Sequence, residues 1–237
     1  MLQRARQRLI FALDVDTADQ AESLVRLLAS EVGVFKVGLE LFVAQGPEVL
    51  ERLRRAGAAA LFLDLKLHDI PATMRAAAKA AVKHGVELLT CHCDQADIFA
   101  GLDLGRTRLL GITVLTSLGP EDLAAMGYPE ELCDPAALVT RRARLAMQAG
   151  CQGVVCSGLE AAQVRAALGP EALVVCPGIR PAEIGPGADD QKRIVTPEMA
   201  IRNGASHIVV GRPIRTARDP LAAARAVVES LSKGMEA

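Results

Sequence analysis

The stretch Leu63-Asp64-Leu65-Lys66-Leu67-His68-Asp69-Ile70-Pro71 decides how this chain is read. Side chains alternate faces along an extended strand, so Asp64 and Lys66 share one face while Leu63, Leu65 and Leu67 share the other. The preceding residues, Ala58-Ala59-Ala60-Leu61-Phe62, are uncharged and apolar, which suits a central strand rather than an exposed edge. Charge in such a position is costly unless the groups offset one another or perform chemistry. Asp69 follows just past the strand, and Pro71 suits the first turn of a helix, where its missing N–H is no loss. The segment therefore reads as a buried strand that turns into a helix through a loop carrying ionised groups. A solvated Asp–Lys ladder is the plainer reading of an Asp-x-Lys pair, and the apolar flank argues against it.

The same unit recurs along the chain. Apolar runs stand at Leu9–Val15, Val34–Leu39, Ala60–Leu67, Leu88–Cys93, Leu109–Thr116, Gly153–Ser157, Leu173–Ile179 and His207–Gly211. Between and after them, Ala, Leu, Arg and Glu at helical spacing predict helices near 18–30, 47–56, 72–84, 96–104, 136–149, 159–168, 197–203 and 219–232. Thr17 is placed to cap the first, Pro47, Pro71 and Pro135 suit first turns, and Thr196-Pro197 opens the seventh. Eight strand–helix units without a break predict a single (β/α)8 barrel over residues 1–237, which uses every strand and leaves no edge. In that architecture the active site lies at the C-terminal ends of the strands. Asp14, Lys36, Asp64, Lys66, Asp94, Thr116, Ser157, Arg180 and Arg212 are then expected to face one mouth.

Composition narrows the partners. The 237 residues are 51% hydrophobic and 23% charged, ample for a large core and too apolar for disorder. The net charge is −1, with one Tyr and no Trp, so neither a basic footprint nor a stacking platform exists and nucleic acid is not expected. The apolar run after the basic N-terminus is too short for a signal-peptide core. The longest uncharged stretch, Leu145–Leu159, falls short of the ~18 residues of a membrane span. A soluble, cytoplasmic protein with no membrane partner is expected. The cysteines Cys91, Cys93, Cys133, Cys151, Cys156 and Cys176 are read as buried free thiols. Cys91-His92-Cys93-Asp94 has one residue between its cysteines, unlike the usual zinc spacing, and no second ligand pair follows, so no metal site is expected.

The chemistry gathers in two places. Strand eight ends in Val209-Val210-Gly211-Arg212-Pro213, where Gly211 allows close backbone approach and Arg212 offers a planar fork that fits phosphate. Across the mouth, Lys36, Asp64, Lys66 and Asp69 make a network in which two ammoniums offset two carboxylates. Lys66, flanked by carboxylates, suits a general acid. The irregular stretches Leu118–Pro135 and Arg180–Pro197 are long enough for binding loops, the second rich in Gly, Pro and polar groups. His68 is expected to be a hydrogen-bonded packing histidine, and His84, His92 and His207 have no partner pattern. The arginines near Arg52–Arg55 and Arg141–Arg144 read as solvated helix faces.

These residues resemble the orotidine 5′-phosphate decarboxylase family over essentially the whole chain. The elements are Phe11-Ala12-Leu13-Asp14, Lys36-Val37-Gly38, Asp64 through Pro71, Val114-Leu115-Thr116-Ser117, Pro177-Gly178-Ile179-Arg180-Pro181, Asp189-Asp190-Gln191-Lys192-Arg193 and Gly211-Arg212-Pro213. The resemblance implies cofactor-free loss of CO2 from C6 of orotidine 5′-monophosphate to give UMP. Lys66 would protonate the C6 carbanion, with Asp64, Asp69 and Lys36 completing the catalytic array. It implies that Asp14 and Lys36 hold the ribose hydroxyls, that Thr116 meets the pyrimidine edge, and that Pro177 lies in the substrate site. Arg180, Gln191, Gly211 and Arg212 would grip the phosphate. It further implies a homodimer in which Asp69 and Thr73 enter the neighbouring site. Ala72 departs from the Asn that many members carry after Ile-Pro, which leaves lid and interface detail open. The alternatives are a Mg-dependent relative of the hexulose-phosphate synthase and keto-gulonate-phosphate decarboxylase kind, which resembles this family but has Glu where Lys36 stands, and a noncatalytic nucleotide-binding barrel.

Overall fold

A computed structural model describes residues 1–181 and 193–236. The barrel strands are β1 (Leu9–Ala12), β2 (Val34–Val37), β3 (Leu61–Leu67), β4 (Leu88–Cys91), β5 (Arg108–Ile112), β6 (Gly153–Val155), β7 (Leu173–Cys176) and β8 (His207–Val210). All pair in parallel and in chain order, and β8 closes on β1 with Leu9 opposite Ile208 and Phe11 opposite Val210. The expected (β/α)8 barrel is the fold observed. Around it lie α1 (Leu2–Arg8), α2 (Ala18–Leu28), α3 (Leu39–Gln45), α4 (Glu48–Ala56), α5 (Pro71–Lys83) and α6 (Pro120–Ala125). The chain continues with α7 (Pro135–Gln148), α8 (Ala161–Leu168), α9 (Pro197–Arg202), α10 (Arg212–Arg215) and α11 (Pro220–Glu236).

Strand alternation divides the core in two. Ile10, Ala12, Val34, Phe62, Leu88, Leu110, Val175 and Val209 pack together as the barrel filling. Their strand neighbours, among them Phe11, Phe35, Leu61, Leu63, Leu89 and Val210, join the larger cluster that packs against the helices. Both faces of each strand are thus buried, which is why the strands read as unbroken apolar runs. The helices start where local chemistry satisfies free N–H groups. Thr17 Oγ1 accepts from the Gln20 amide, Asp134 Oδ1 from Ala136 and Thr196 Oγ1 from Met199. Pro71, Pro135 and Pro197 occupy first-turn positions of α5, α7 and α9, whereas Pro47 lies one residue ahead of α4.

Two expectations need correction. No helix forms over 96–104. Asp97 takes a left-handed φ of 60°, and the amides of Asp97 and Phe99 bond to the carbonyls of Gln148 and Ala149 at the end of α7. Arg75 holds the Ile98 and Ala100 carbonyls, so tertiary contacts take the backbone groups that a helix would have paired internally. The basic N-terminal segment forms α1, and Leu118–Pro135 contains α6 and a short 3-10 turn at Glu130–Leu132. Among the described residues no helix is long and apolar enough to cross a membrane.

Candidate active site

The mouth at the C-terminal strand ends holds a cavity of ≈ 330 Å³. Its floor is the barrel filling, with Ala12, Phe62, Ile112, Val155 and Val209, and its walls carry the charged groups. Lys36 Nζ lies 3.2 Å from Asp14 Oδ1 and 3.6 Å from Asp64 Oδ2, and Lys66 Nζ lies 2.9 Å from Asp64 Oδ1. The four side chains form an alternating chain, Asp14–Lys36–Asp64–Lys66, whose formal charges cancel. Asp64 is the pivot, with only 14% of its side chain exposed. Burial alone would raise its carboxyl, but Lys36, Lys66 and a hydrogen bond from Thr90 outweigh that and hold it below the usual value.

Local backbone geometry sets this array. β3 and β4 run in step to Leu63 opposite Leu89, and then Leu67 stands opposite Cys91, so the register shifts across Asp64, Leu65 and Lys66. Lys66 has φ of 50°, a left-handed conformation that a non-glycine residue adopts at some cost. Thr90 compensates for the interrupted ladder. Its Oγ1 accepts from the Lys66 amide at 2.9 Å and donates to Asp64 Oδ1 at 2.9 Å. Gly38 also keeps space for Lys36, since a Cβ there would lie 3.1 Å from its Nζ.

Asp14, Lys36, Asp64, Lys66, Thr116, Pro177, Arg180, Gly211 and Arg212 all line the cavity, which brings most of the expected site together. Arg212 opens α10, and a Cβ on Gly211 would sit 3.4 Å from both Ala12 Cβ and Asp14 Oδ2. Gln191 lies outside the described residues. Asp69 and Thr73 are exposed and are not among the cavity-lining residues; Asp69 Oδ1 accepts from the Ile70 amide at 2.6 Å. Asp94 and Ser157, expected at the mouth, do not line it either. Ser157 is fully buried and caps the Leu159 amide, while Asp94 Oδ2 lies 2.5 Å from His68 Nε2. His68 is therefore no packing residue: its side chain is 58% exposed and its ring lies 4.9 Å from that of His92.

Two contributors escaped the sequence reading. Thr90 is the first, and its signal was a hydroxyl inside the otherwise apolar run Leu88-Leu89-Thr90-Cys91. The second is a buried pair, Arg193 with Glu160, in which Arg193 also donates to the carbonyls of Val114 and Leu115 on the cavity wall.

Fold and site together define a (β/α)8-barrel enzyme whose working groups are ionised side chains at the C-terminal mouth. A family model described as orotidine 5′-phosphate decarboxylase / HUMPS family matches residues 7–227, and the chain belongs to that family. It is 45% identical over 235 residues to the orotidine 5′-phosphate decarboxylase of Desulfosudis oleivorans, covering 96% of this chain and 94% of that one. Its identity to the same enzyme of an Anaeromyxobacter species is 48% over 229 residues, with 95% and 98% covered. Among solved structures, the orotidine 5′-phosphate decarboxylase of Lactobacillus acidophilus superposes with a TM-score of 0.78 at 35% identity, covering 94% of this chain and 98% of that one.

Proposed function

We propose that this cavity decarboxylates orotidine 5′-monophosphate to UMP and CO2, the last step of pyrimidine nucleotide synthesis, with Lys66 supplying the proton that replaces the carboxylate. The observation that carries this reading is that Lys66 Nζ lies 2.9 Å from Asp64 inside the cavity, in a chain of charges anchored by Lys36 and Asp14. The bond from C6 to the carboxylate breaks and leaves its electron pair on C6. CO2 departs, the Lys66 ammonium gives its proton to C6, and the resulting amine regains a proton from solvent after product release.

Electrostatics supplies the driving arrangement. The array is fixed before substrate arrives, so its dipoles need no reorganisation as charge develops on C6. The substrate carboxylate meets the like charge of the mostly buried Asp64, and loss of CO2 removes that repulsion while the carbanion faces Lys66. Asp14 and Lys36 take the ribose hydroxyls, and Thr116 and Pro177 border the pyrimidine. Arg180, Gln191, Gly211 and Arg212 hold the phosphate, whose binding energy is used in the transition state. The placement of Gly211 and Arg212 on the cavity wall beside Arg180 supports this.

The enzyme works as a cytoplasmic homodimer, with Asp69 and Thr73 completing the neighbouring site. In support, Leu39, Val43 and Ile70, which follow the adjacent strands β2 and β3, are apolar side chains 52%, 79% and 66% exposed. Six free thiols suit a reducing compartment. The metal-dependent alternative is disfavoured by Lys36, whose ammonium already stands between Asp14 and Asp64 where a divalent cation would be repelled. The test is the loss of orotidine monophosphate absorbance in excess EDTA. Rapid loss with UMP as product is expected. A folded protein that shows no loss overturns the reading and moves the chain to the metal-dependent relatives or to a noncatalytic nucleotide-binding barrel.

A further inference from the structure

Away from the mouth, three cysteines meet behind the barrel wall. Cys91 ends β4, Cys93 follows two residues later on the same side, and Cys151 lies between α7 and β6. All three belong to the core layer between barrel and helices, whereas Thr90, one residue from Cys91, reaches Asp64 at the mouth. Cys151 is held by the hydrogen bond that its backbone N–H donates to the Ala146 carbonyl at 3.0 Å. The sulfurs form a nearly equilateral triangle: Cys91 to Cys93 is 3.8 Å, Cys91 to Cys151 is 3.7 Å and Cys93 to Cys151 is 3.5 Å. Cys91 is sealed from solvent, and Cys93 and Cys151 are 7% and 4% exposed. Small neighbours leave this space, since a Cβ on Gly111 of β5 would lie 2.3 Å from Ala146 Cβ and 3.7 Å from Cys93 Sγ.

Thiolates that share one tetrahedral ion through metal–sulfur bonds of about 2.3 Å stand about 3.8 Å apart. The triangle is therefore already close to one face of such a site. Among the described residues no histidine or carboxylate side chain joins the three sulfurs, and an all-sulfur set of side chains selects soft cations. Three thiolates around a dication leave one net negative charge, against two around a monocation, and a buried site favours the smaller charge.

We propose that Cys91, Cys93 and Cys151 form a site for one soft divalent d10 cation, of the zinc and cadmium class, on the outer wall of the barrel. Binding releases the thiol protons to solvent and ties β4 to the end of α7. The reading does not depend on the reaction at the mouth.

The test uses the reduced, metal-free full-length chain titrated with Cd2+, followed by sulfur-to-cadmium charge-transfer absorbance and by thermal unfolding. Saturation at one ion per chain with a raised Tm is expected. Cys93→Ala and Cys151→Ala should each weaken binding by more than the roughly 100-fold that loss of an outer-shell partner costs. Cys133→Ala, at a partly exposed cysteine, should bind as the unaltered chain does. Cys156→Ala removes one member of a separate buried thiol pair with Cys176, and unchanged binding there assigns the signal to the triangle. Absence of the charge-transfer band at saturating Cd2+ would overturn the site, as would a band that survives in a folded Cys93→Ala chain.

Discussion

Arg193 Nη1 meets Glu160 Oε1 at 2.7 Å with both side chains nearly out of solvent, 11% and 7% exposed. The same guanidinium donates through Nη2 to the carbonyls of Val114 and Leu115 at 3.1 and 3.0 Å. One side chain thus joins three segments: the stretch that precedes α9, the turn that leads into α8, and the cavity wall beside Thr116. Arg193 is a positioning residue for that wall.

Arg193→Ala would leave Glu160 charged and unpaired in the interior, an arrangement that costs about 3–5 kcal/mol. Urea unfolding should register a loss of that order. Arg193→Lys should recover little of it, because an ammonium cannot present a planar fork to a carboxylate and two carbonyls together. An unfolding midpoint unchanged in Arg193→Ala would refute the role.

Lys66→Ala should lower decarboxylation by at least the roughly 10²–10⁴-fold attributed to a positioned acid, while UMP still binds. Turnover and UMP affinity measured on the same preparation separate the two effects. Near-normal turnover would end the assignment of Lys66 as proton donor.

Arg212→Ala should weaken both substrate and UMP by about 10- to 100-fold, the scale of a lost charged hydrogen bond of roughly 1.5–3 kcal/mol. Because phosphate contacts also act in the transition state, kcat/KM should fall at least as far. An unchanged KM with the phosphorylated substrate counts against the phosphate site.

His207 predicts a pH effect on stability that is separate from catalysis. It begins β8, at the end of the barrel away from the mouth, and its Nδ1 is buried with no hydrogen-bond partner among the described residues. Burial, aided by Arg8, pushes the imidazole from 6.5 down to about 4. Between those values the unfolded chain binds a proton that the fold refuses. Stability is therefore full above pH 6.5 and falls as the pH drops toward 4, by on the order of 3 kcal/mol. Denaturation midpoints across this range should show the slope, and His207→Leu should flatten it. An equally steep slope in that variant would assign the effect to other groups.

The barrel was legible because burial on both strand faces writes itself as apolar runs, and because first-turn prolines and capping threonines mark where helices begin. Asp64 and Lys66 were legible as neighbours because a two-residue spacing keeps them on one face. What could not be read depended on contacts distant in sequence. The 96–104 segment has helical composition, yet the end of α7 claims its amides. Thr90 acts only because the register shift in β3 leaves the Lys66 amide without a ladder partner. Cys151 meets Cys91 and Cys93 only once β4 and the end of α7 are packed, so the sulfur cluster is not written in the spacing around His92. His68 shares the parity of Asp64 and Lys66 rather than that of the packed leucines, so alternation gives it no place in the core, and past the strand end its ring turns to Asp94 in the open.

Closure of β8 on β1 also has a consequence for synthesis. The partner of Ile10 is Val209, almost a whole chain length later, so no nascent chain can close the sheet until its last strand has left the ribosome. Until then β1 and β7 expose unpaired edges, a state in which neighbouring nascent chains can pair with them. Gly211 and Arg212 emerge immediately after that strand, so the site acquires its final wall only as the barrel shuts, and a prematurely terminated chain carries the charge array without a complete pocket to use it.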